Sequence, residues 1–391
     1  MLEELLRRLC FLCPAGFETF FIWDCGRAGL RGIIILVFCK DFRSNRFRNK
    51  VTLEEHKTTE GERRMPVQDE AVLDISENEI RKLSRDILNT LLRDRTTRKN
   101  ILWGTDDYAE YGYEYSAGSE ITQSIITGIH GDIIQPRVLK AQTQKRDRTR
   151  ARAEVFTPSW VCNEQNNLVD AQWFDGKNVF NKPTERGWQT IKEPIPFLEK
   201  GSKSWKHYVD AKRLEITCGE APYLVSRYDS VTGVMIPLDD RIGLLDRKLR
   251  VVNENASSTD EWKKWARRAI ESVYGYEYQG DNLLLARENV LYTYMEHYRK
   301  RLQAEPEHKE LKEIATVISW NLWQMDGFNC AIPSCEVKGE PEQVTMELSE
   351  DDEVFDFTRL TDPKGQQLCK IRDWRANSTI EFRSLVGGNQ K

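Results

Sequence analysis

The sequence predicts an α/β protein, and three observations lead to this prediction. Short apolar runs alternate with amphipathic stretches from residue 153 to about residue 330, as strands and helices do in α/β folds. Within this part, the segment "LEITCGEAPYLV" at 214–225 passes from an apolar run ending in an acid, through small residues, into a second apolar run. The region before residue 153 carries helical patterns instead. We therefore expect a helical N-terminal region followed by an α/β core.

Composition defines the broad class. The chain has 391 residues, enough for one or two domains, with 31% charged residues and a formal net charge of -4. A slightly acidic total excludes a uniformly basic nucleic-acid coat but allows a local basic face. An odd number of cysteines, scattered along the chain, favours reduced thiols and a cytoplasmic location over a disulfide framework. The nine cysteines are Cys10, Cys13, Cys25, Cys39, Cys162, Cys218, Cys330, Cys335 and Cys369.

Residues 1–64 form an atypical N-terminal extension. Charged residues interrupt its apolar runs, and none reaches the roughly 20 residues that a membrane-spanning helix needs, so no membrane association is expected. We interpret this segment as an upstream extension and Met65 as the natural start. A chain that begins at Met65 should then fold and remain soluble, and loss of either property on truncation would contradict the interpretation.

Residues 65–152 are predicted to be a helical N-terminal region. The segment 74–94, "DISENEIRKLSRDILNTLLRD", predicts one helix in which Ser76 and Glu79 have capping-box spacing. A second helix is expected in "SEITQSIITGIHGDII", ending near Gly128. The apolar stripe of the first helix consists of Ile80, Leu83, Ile87, Leu88 and Leu91.

A basic run closes this region. A solvated linker is the plain interpretation of such a run. Because the run lies directly before the first motif, salt-sensitive contacts with DNA phosphates are the other interpretation. The residues concerned are Lys145, Arg146, Arg148, Arg150 and Arg152.

The turn at 216–221 is the first candidate binding element. A strand that ends in an acid and leads through small residues into a helix brings backbone N–H groups close to a ligand at the carboxyl edge of a sheet. Gly219 and Ala221 provide the small side chains that such an approach requires. An ordinary core segment with a tight turn is the alternative.

Residues 215–224, "EITCGEAPYL", resemble the acid-Pro-x-Cys-Gly-Ser-Gly-x-Phe-Leu motif of the N6-adenine DNA methyltransferases, the subunit M type of restriction–modification systems. Ile216, Glu220 and Ala221 replace the usual Pro, Ser and second Gly. The resemblance spans about 153–385 and implies a Rossmann-like methyltransferase core over 153–391, with S-adenosyl-L-methionine as cofactor and DNA as partner. The cofactor residues that it implies in this loop are Glu215, Thr217, Cys218, Gly219, Ala221 and Tyr223.

Two further segments resemble the same family. "AEVFTPSWVCNEQNNLVD" at 153–170 is similar to the segment that holds the methionine end of the cofactor, with Thr157 as helix N-cap and Pro158 at the first helical position. "SVYGYEYQGDNLLLARENVLYTY" at 272–294 resembles the second motif, in which Glu277 would bind the ribose hydroxyls and Tyr278 would cover the adenine. Asp246 is the rival acid. This arrangement requires insertions at about 230–271 and 336–365.

The motifs that would bind the target base are only partly present in this sequence. "CKIRDW" at 369–374 looks like the third motif, which makes Asp373 a candidate substrate-binding residue. The family's Asn-Pro-Pro-Tyr type of tetrapeptide is missing, because the sequence contains no Pro-Pro pair. The resemblance therefore implies a cofactor-binding subunit completed by a second chain that carries this motif and target recognition. The alternatives are an inactive DNA-binding or assembly subunit and, less favoured, a small-molecule methyltransferase.

Metal chemistry has little support in the sequence. Cys330, Cys335 and Cys369 would make an incomplete zinc site without an evident fourth ligand. The five histidines show no metal-ligand spacing. No metal is therefore expected.

Overall fold

The computed structural model describes residues 32–35, 77–140, 157–197, 203–333 and 366–386. Within these ranges the helices are α1 (Glu77–Leu83), α2 (Arg85–Leu92), α3 (Gln123–Ile126), α4 (Ser159–Ala171), α5 (Trp205–Asp210), α6 (Leu244–Asn255), α7 (Thr259–Glu271), α8 (Gly280–Leu302), α9 (His308–Asn321) and α10 (Arg383–Val386). The strands are β1 (Gly32–Ile35), β2 (Asn181–Thr184), β3 (Gly187–Thr190), β4 (Lys212–Glu215), β5 (Val273–Glu277), β6 (Leu322–Gln324), β7 (Lys370–Asp373) and β8 (Ser378–Glu381).

A parallel sheet lies at the centre of the fold. β4 pairs with β5 and β5 with β6, with Arg213 opposite Val273 and Gly275 opposite Leu322. β1 extends the sheet at the other edge of β4, also in parallel. Residues 32–35 thus pair with the core, which their interpretation as part of an upstream extension did not anticipate. The prediction of an α/β fold with a parallel sheet is confirmed.

The order of the strands explains the layers. From β4 to β6 the chain always steps in the same direction, through α6 and α7 and then through α8 and α9. Right-handed crossovers that step in one direction place their helices on one face of a sheet. The described strands therefore lack the reversal of a doubly wound sheet. The predicted insertion at 230–271 contains the first of these crossovers, with α6 and α7.

The other face of the sheet is covered by the antiparallel hairpin of β7 and β8. Tyr276 and Trp323 point to this face and pack with Ile371 and Phe382 of the hairpin. The chain reaches the hairpin after the stretch 334–365, whose flanks pair with each other. Ile332 N–H donates to the carbonyl of Gln367 at 3.0 Å.

The N-terminal helix is divided. The structure has α1 and α2 where the sequence predicted one helix over 74–94, because Ser84 has extended backbone and its hydroxyl accepts a hydrogen bond from Asp86 N–H at 3.1 Å. The stripe from Ile80 to Leu91 is buried except for Leu83, which is 46% exposed. The second predicted helix is only α3, which ends shortly before Gly128.

Arg287 joins the N-terminal region to the core. Its buried guanidinium donates to the carbonyls of Leu91 and Arg93 at the end of α2 and of Ser319 and Leu322 at the end of α9. Burial lowers its pKa to about 9. Helix ends leave carbonyls without partners, and one planar side chain with five N–H groups satisfies both ends here.

A second buried polar network holds α4 against α6. Arg247 is 1% exposed and donates to the Asp170 carboxylate at 2.7 Å. It also donates to the side-chain oxygens of Asn163 and Asn167 at 2.9 and 2.8 Å. Tyr208 donates its hydroxyl to the other oxygen of Asp170 at 3.0 Å. A buried charge pair with this many hydrogen bonds fixes the orientation of α4 relative to α6.

Candidate functional site

The carboxyl ends of β4, β5 and β6 meet at one edge of the sheet, where open α/β sheets bind their ligands. β4 ends in Glu215, β5 in Glu277 and β6 in Gln324. The turn 216–221 leaves the sheet at this edge. The structure therefore brings together the acid of the first predicted motif, the acid of the second, and the turn between them.

The turn has unusual backbone geometry. Thr217, Gly219 and Ala221 have φ values of 47°, 53° and 63°, all in the left-handed region. A side chain is disfavoured in this region, which accounts for Gly219 but makes Thr217 and Ala221 strained. Cys218 N–H donates to the carbonyl of Tyr276 at 2.8 Å and fixes the turn to β5. Backbone strain of this kind clusters at binding sites.

Glu215 is buried beneath the turn and stabilises it through hydrogen bonds. Its buried carboxylate accepts hydrogen bonds from Tyr223 N–H at 3.3 Å and Leu224 N–H at 3.1 Å. Burial raises its pKa well above the usual range, and these two N–H donors oppose the rise. Glu215 is thus a positioning residue, because it folds the chain back on itself rather than reaching the surface.

Glu277 lies directly against the turn. One carboxylate oxygen accepts Gly219 N–H at 2.8 Å, and the other accepts Tyr278 N–H at 2.9 Å and Gln279 N–H at 3.0 Å. These backbone donors hold the carboxylate in a fixed orientation, with one oxygen facing Gly219. Asp246, the rival acid, is buried at the start of α6 and accepts Ser226 N–H at 2.8 Å, a structural contact.

Three other residues of the predicted loop belong to the core. Cys218, Ala221 and Tyr223 are each no more than 3% exposed. Tyr223 packs with Cys162 and Ile242. Thr217 is exposed and Gly219 half-buried, so these two present the outer surface of the turn.

Glu220 stands where the motif has serine, and contacts within the chain explain this difference. Its side chain is buried and accepts Arg137 N–H at 2.6 Å and the Tyr228 hydroxyl at 2.6 Å. Its carbonyl accepts the side-chain amide of Asn289 at 3.2 Å. Glu220 therefore connects the turn to the N-terminal region and to α8 instead of facing a ligand.

The start of α4 differs from the sequence prediction. The helix begins at Ser159 with Pro158 in the N-cap position, one residue later than expected, and the cap residue forms no side-chain hydrogen bond. Asp229 caps the helix instead, since its carboxylate accepts Ser159 N–H at 2.7 Å. Thr157 is buried and contributes its carbonyl, which accepts the Ser230 hydroxyl at 2.9 Å. A carboxylate of the chain thus occupies the positive end of this helix.

Asp373 lies away from the other predicted residues. It is at the end of β7 and forms an ion pair of 3.1 Å with Lys212, the first residue of β4. Lys212 marks the amino end of the sheet, opposite the edge where Glu277 lies. The segment is a strand that ends in Asp373, but it pairs with β8 and not with the main sheet, so the structure does not bring Asp373 together with Glu277 and the turn.

Some predicted residues lie outside the described ranges. They include the basic run from Lys145 to Arg152, Cys335 of the suggested zinc site, and most of the extension 1–64. The described residues contain no group of three or more His, Cys, Asp or Glu side chains arranged to hold a metal ion. Cys330 and Cys369 are both free and buried.

Sequence reasoning missed two contributors to the edge. Gln324 ends β6, and its buried amide bonds to the backbone of Leu102 and Tyr278. Gly104 lies against Tyr278. Neither residue has a sequence signal beyond its type, because both act through contacts between parts of the chain that are distant in sequence.

None of the helices within the described ranges is both long enough and apolar enough to cross a bilayer. Comparisons of the chain with protein-family models, with curated proteins and with solved structures each found no match.

Proposed function

We propose that the chain is the S-adenosylmethionine-binding subunit of a DNA N6-adenine methyltransferase in a restriction–modification system, completed by a partner chain. The observation that supports this most is the contact between Glu277 and the turn at Gly219, at the carboxyl ends of two adjacent parallel strands. Rossmann-like nucleotide sites use this pairing of a tight small-residue turn with an acid on the next strand.

The residues present fit the nucleoside half of the cofactor. Glu277 is the acceptor for the ribose hydroxyls, and the half-buried ring of Tyr278 lies beside it to cover the purine. Thr217 and Gly219 lie at the outer surface of the turn, where the ligand would contact the backbone. When bound, the cofactor supplies an electrophilic methyl group on its sulfonium.

The residues at α4 do not fit the amino-acid half in the way that the resemblance implies. Asp229 already caps the helix, and Thr157 is buried with its carbonyl engaged. An anionic ligand would meet the negative charge of Asp229 at this position. Binding of the amino-acid end must therefore depend on other parts of the chain or on the partner.

The missing Asn-Pro-Pro-Tyr motif determines what the chain does alone. Because no Pro-Pro pair occurs, we assign polarisation of the target amine and stacking of the extruded base to the partner chain. The chain positions the donor, and the partner positions the acceptor. Methyl transfer is therefore expected only when both are present, and the basic run from Lys145 to Arg152 is assigned to the DNA backbone.

Calorimetry with S-adenosylmethionine and with sinefungin tests this function. Wild-type protein should give saturable heat with both ligands. Glu277→Gln should weaken binding about tenfold to a hundredfold, because an amide replaces the charged acceptor of two hydroxyl groups. Glu313→Gln, at an exposed position of α9, is the matched control and should bind like the wild type.

One observation favours a second candidate, an assembly or DNA-binding subunit that has lost the cofactor. Both Glu277 and the start of α4 are satisfied by groups of the chain itself, so the edge is complete without a ligand. This candidate predicts no heat with either ligand while DNA or partner binding is retained. Absence of heat from folded wild-type protein would therefore replace the first proposal with the second.

A further inference from the structure

The N-terminal region forms one wall of the candidate nucleoside site. The backbone at 102–105 lies directly against the residues that follow Glu277. A Cβ atom added to Gly104 would lie 2.9 Å from the carbonyl oxygen of Tyr278 and 3.1 Å from its ring. A Cβ atom added to Gly280 would lie 2.1 Å from the carbonyl oxygen of Leu102. Only glycine permits the two backbones to approach so closely.

Gln324 fixes this contact from the sheet. Its side-chain oxygen accepts Leu102 N–H at 2.7 Å. Its amide nitrogen donates to the carbonyls of Leu102 and Tyr278, both at 2.8 Å. The side chain is 1% exposed, so these bonds are shielded from water. One amide thereby sets the distance between the N-terminal segment and the backbone that carries the Tyr278 ring.

We propose that Gly104 and Gln324 are positioning residues that hold the Tyr278 ring in the orientation that selects a purine base. The proposal rests on the proposed nucleoside site and adds the source of its base selectivity. The ring is confined on one side by the Gly104 backbone, and its own backbone is held by Gln324. A side chain at position 104 forces a shift against the Tyr278 carbonyl oxygen, which Gln324 holds in place, and crowds the Tyr278 ring next to it.

A displaced Tyr278 ring is expected to affect only the binding of the purine base. The ribose acceptor, Glu277, is held by the backbone N–H groups of Gly219, Tyr278 and Gln279. The three atoms nearest to a Cβ at position 104 are instead the Tyr278 carbonyl oxygen, its ring and the side-chain oxygen of Gln279. A shift of the ring should therefore weaken ligands that carry a purine and leave ligands with only the ribose and the amino acid unchanged. General damage to the fold would weaken both kinds.

Two probes distinguish these outcomes. S-adenosylhomocysteine carries the purine base, and S-ribosylhomocysteine lacks it. Titrations followed by ligand-observed NMR should show that Gly104→Ala weakens the first about tenfold, the lower range for loss of one base-stacking contact, and leaves the second unchanged. Gln324→Met, which keeps the bulk and removes the hydrogen bonds, should act in the same direction. Gly187→Ala is the control, because its Cβ would meet only the Thr184 hydroxyl at 3.2 Å.

The failures of the two proposals are distinguishable. If folded wild-type protein binds neither probe, the nucleoside site itself is wrong, and the selectivity proposal falls with it. If the wild type binds but Gly104→Ala weakens both probes equally, or neither, the nucleoside site stands and the positioning role is overturned. Melting temperatures of all variants identify any that fail to fold.

Discussion

Replacing Asp170 with alanine is expected to lower the free energy of unfolding by about 3–5 kcal/mol, the cost of leaving a buried charge without its partner. Arg247 would keep its position between α4 and α6 with only amide oxygens around it. Arg213, whose guanidinium lies 3.9 Å from the same carboxylate, would lose it as well. Both arginines are buried, so water cannot replace Asp170 without opening the core.

Urea denaturation of the wild type and of Asp170→Ala measures this difference. Asp175→Ala is the matched control, because Asp175 pairs with Lys203 at the surface, where ion pairs contribute little. A loss of stability no greater than that of the control would show that the network does not hold α4. Asp170→Asn should be intermediate, since it keeps the hydrogen bond to Tyr208 and removes the charge.

The second large effect is a loss of stability as the pH rises. Glu77 at the start of α1 and Glu288 in α8 are both buried. Among the described residues, neither oxygen of Glu288 has a hydrogen-bond partner. Burial raises the pKa of Glu77 to about 8, with a smaller contribution from Asp132. Burial and the nearby Glu77 raise the pKa of Glu288, and Arg227 opposes this rise.

The sign follows from proton linkage. A carboxyl group whose pKa is higher in the folded protein binds more protons when folded, so its contribution to stability falls as the pH rises. For Glu77 this contribution is intact below its unfolded pKa, near 4.5, and is lost by about pH 8. The full change is on the order of several kcal/mol, at about 1.4 kcal/mol for each pKa unit.

Urea denaturation at several pH values between 5 and 8, on the wild type and on Glu77→Gln, isolates this effect. The variant should gain stability relative to the wild type as the pH rises, because an amide needs no proton. The comparison removes the opposite contribution of His297, whose pKa burial lowers to about 3. Glu79→Gln in the same helix is the exposed control, and parallel profiles for Glu77→Gln and the wild type would refute the prediction.

Part of the fold could be predicted because it depends on local patterns. Strong amphipathic periodicity identified the stripe of α1 and α2, and an acid after an apolar run identified the ends of β4 and β5. The break at Ser84 escaped prediction, because its hydroxyl competes with the helix only when the two halves have separate packing partners. The pairing of β7 with β8 was also not predictable, because a short apolar run that ends in an acid occurs both in parallel sheets and in hairpins.

The site could be predicted only where it follows a recurrent motif. The turn and Glu277 follow a known arrangement, so their positions were accessible. Asp229 at the start of α4 and Gln324 beneath Leu102 were not, because a capping carboxylate or a buried amide can come from any part of the chain. Such contacts depend on tertiary structure, and no spacing rule identifies them.

The pairing on either side of 334–365 has a consequence for how this protein can change. Ile332 and Gln367 are hydrogen-bonded, and Ala331 forms a bridge with Leu368, so the stretch leaves and rejoins the core at one point. Closing a loop whose ends already meet costs only about 0.6 kcal/mol more for each doubling of its length. Length variants of the chain should therefore be found here, where new sequence can be added without moving the sheet.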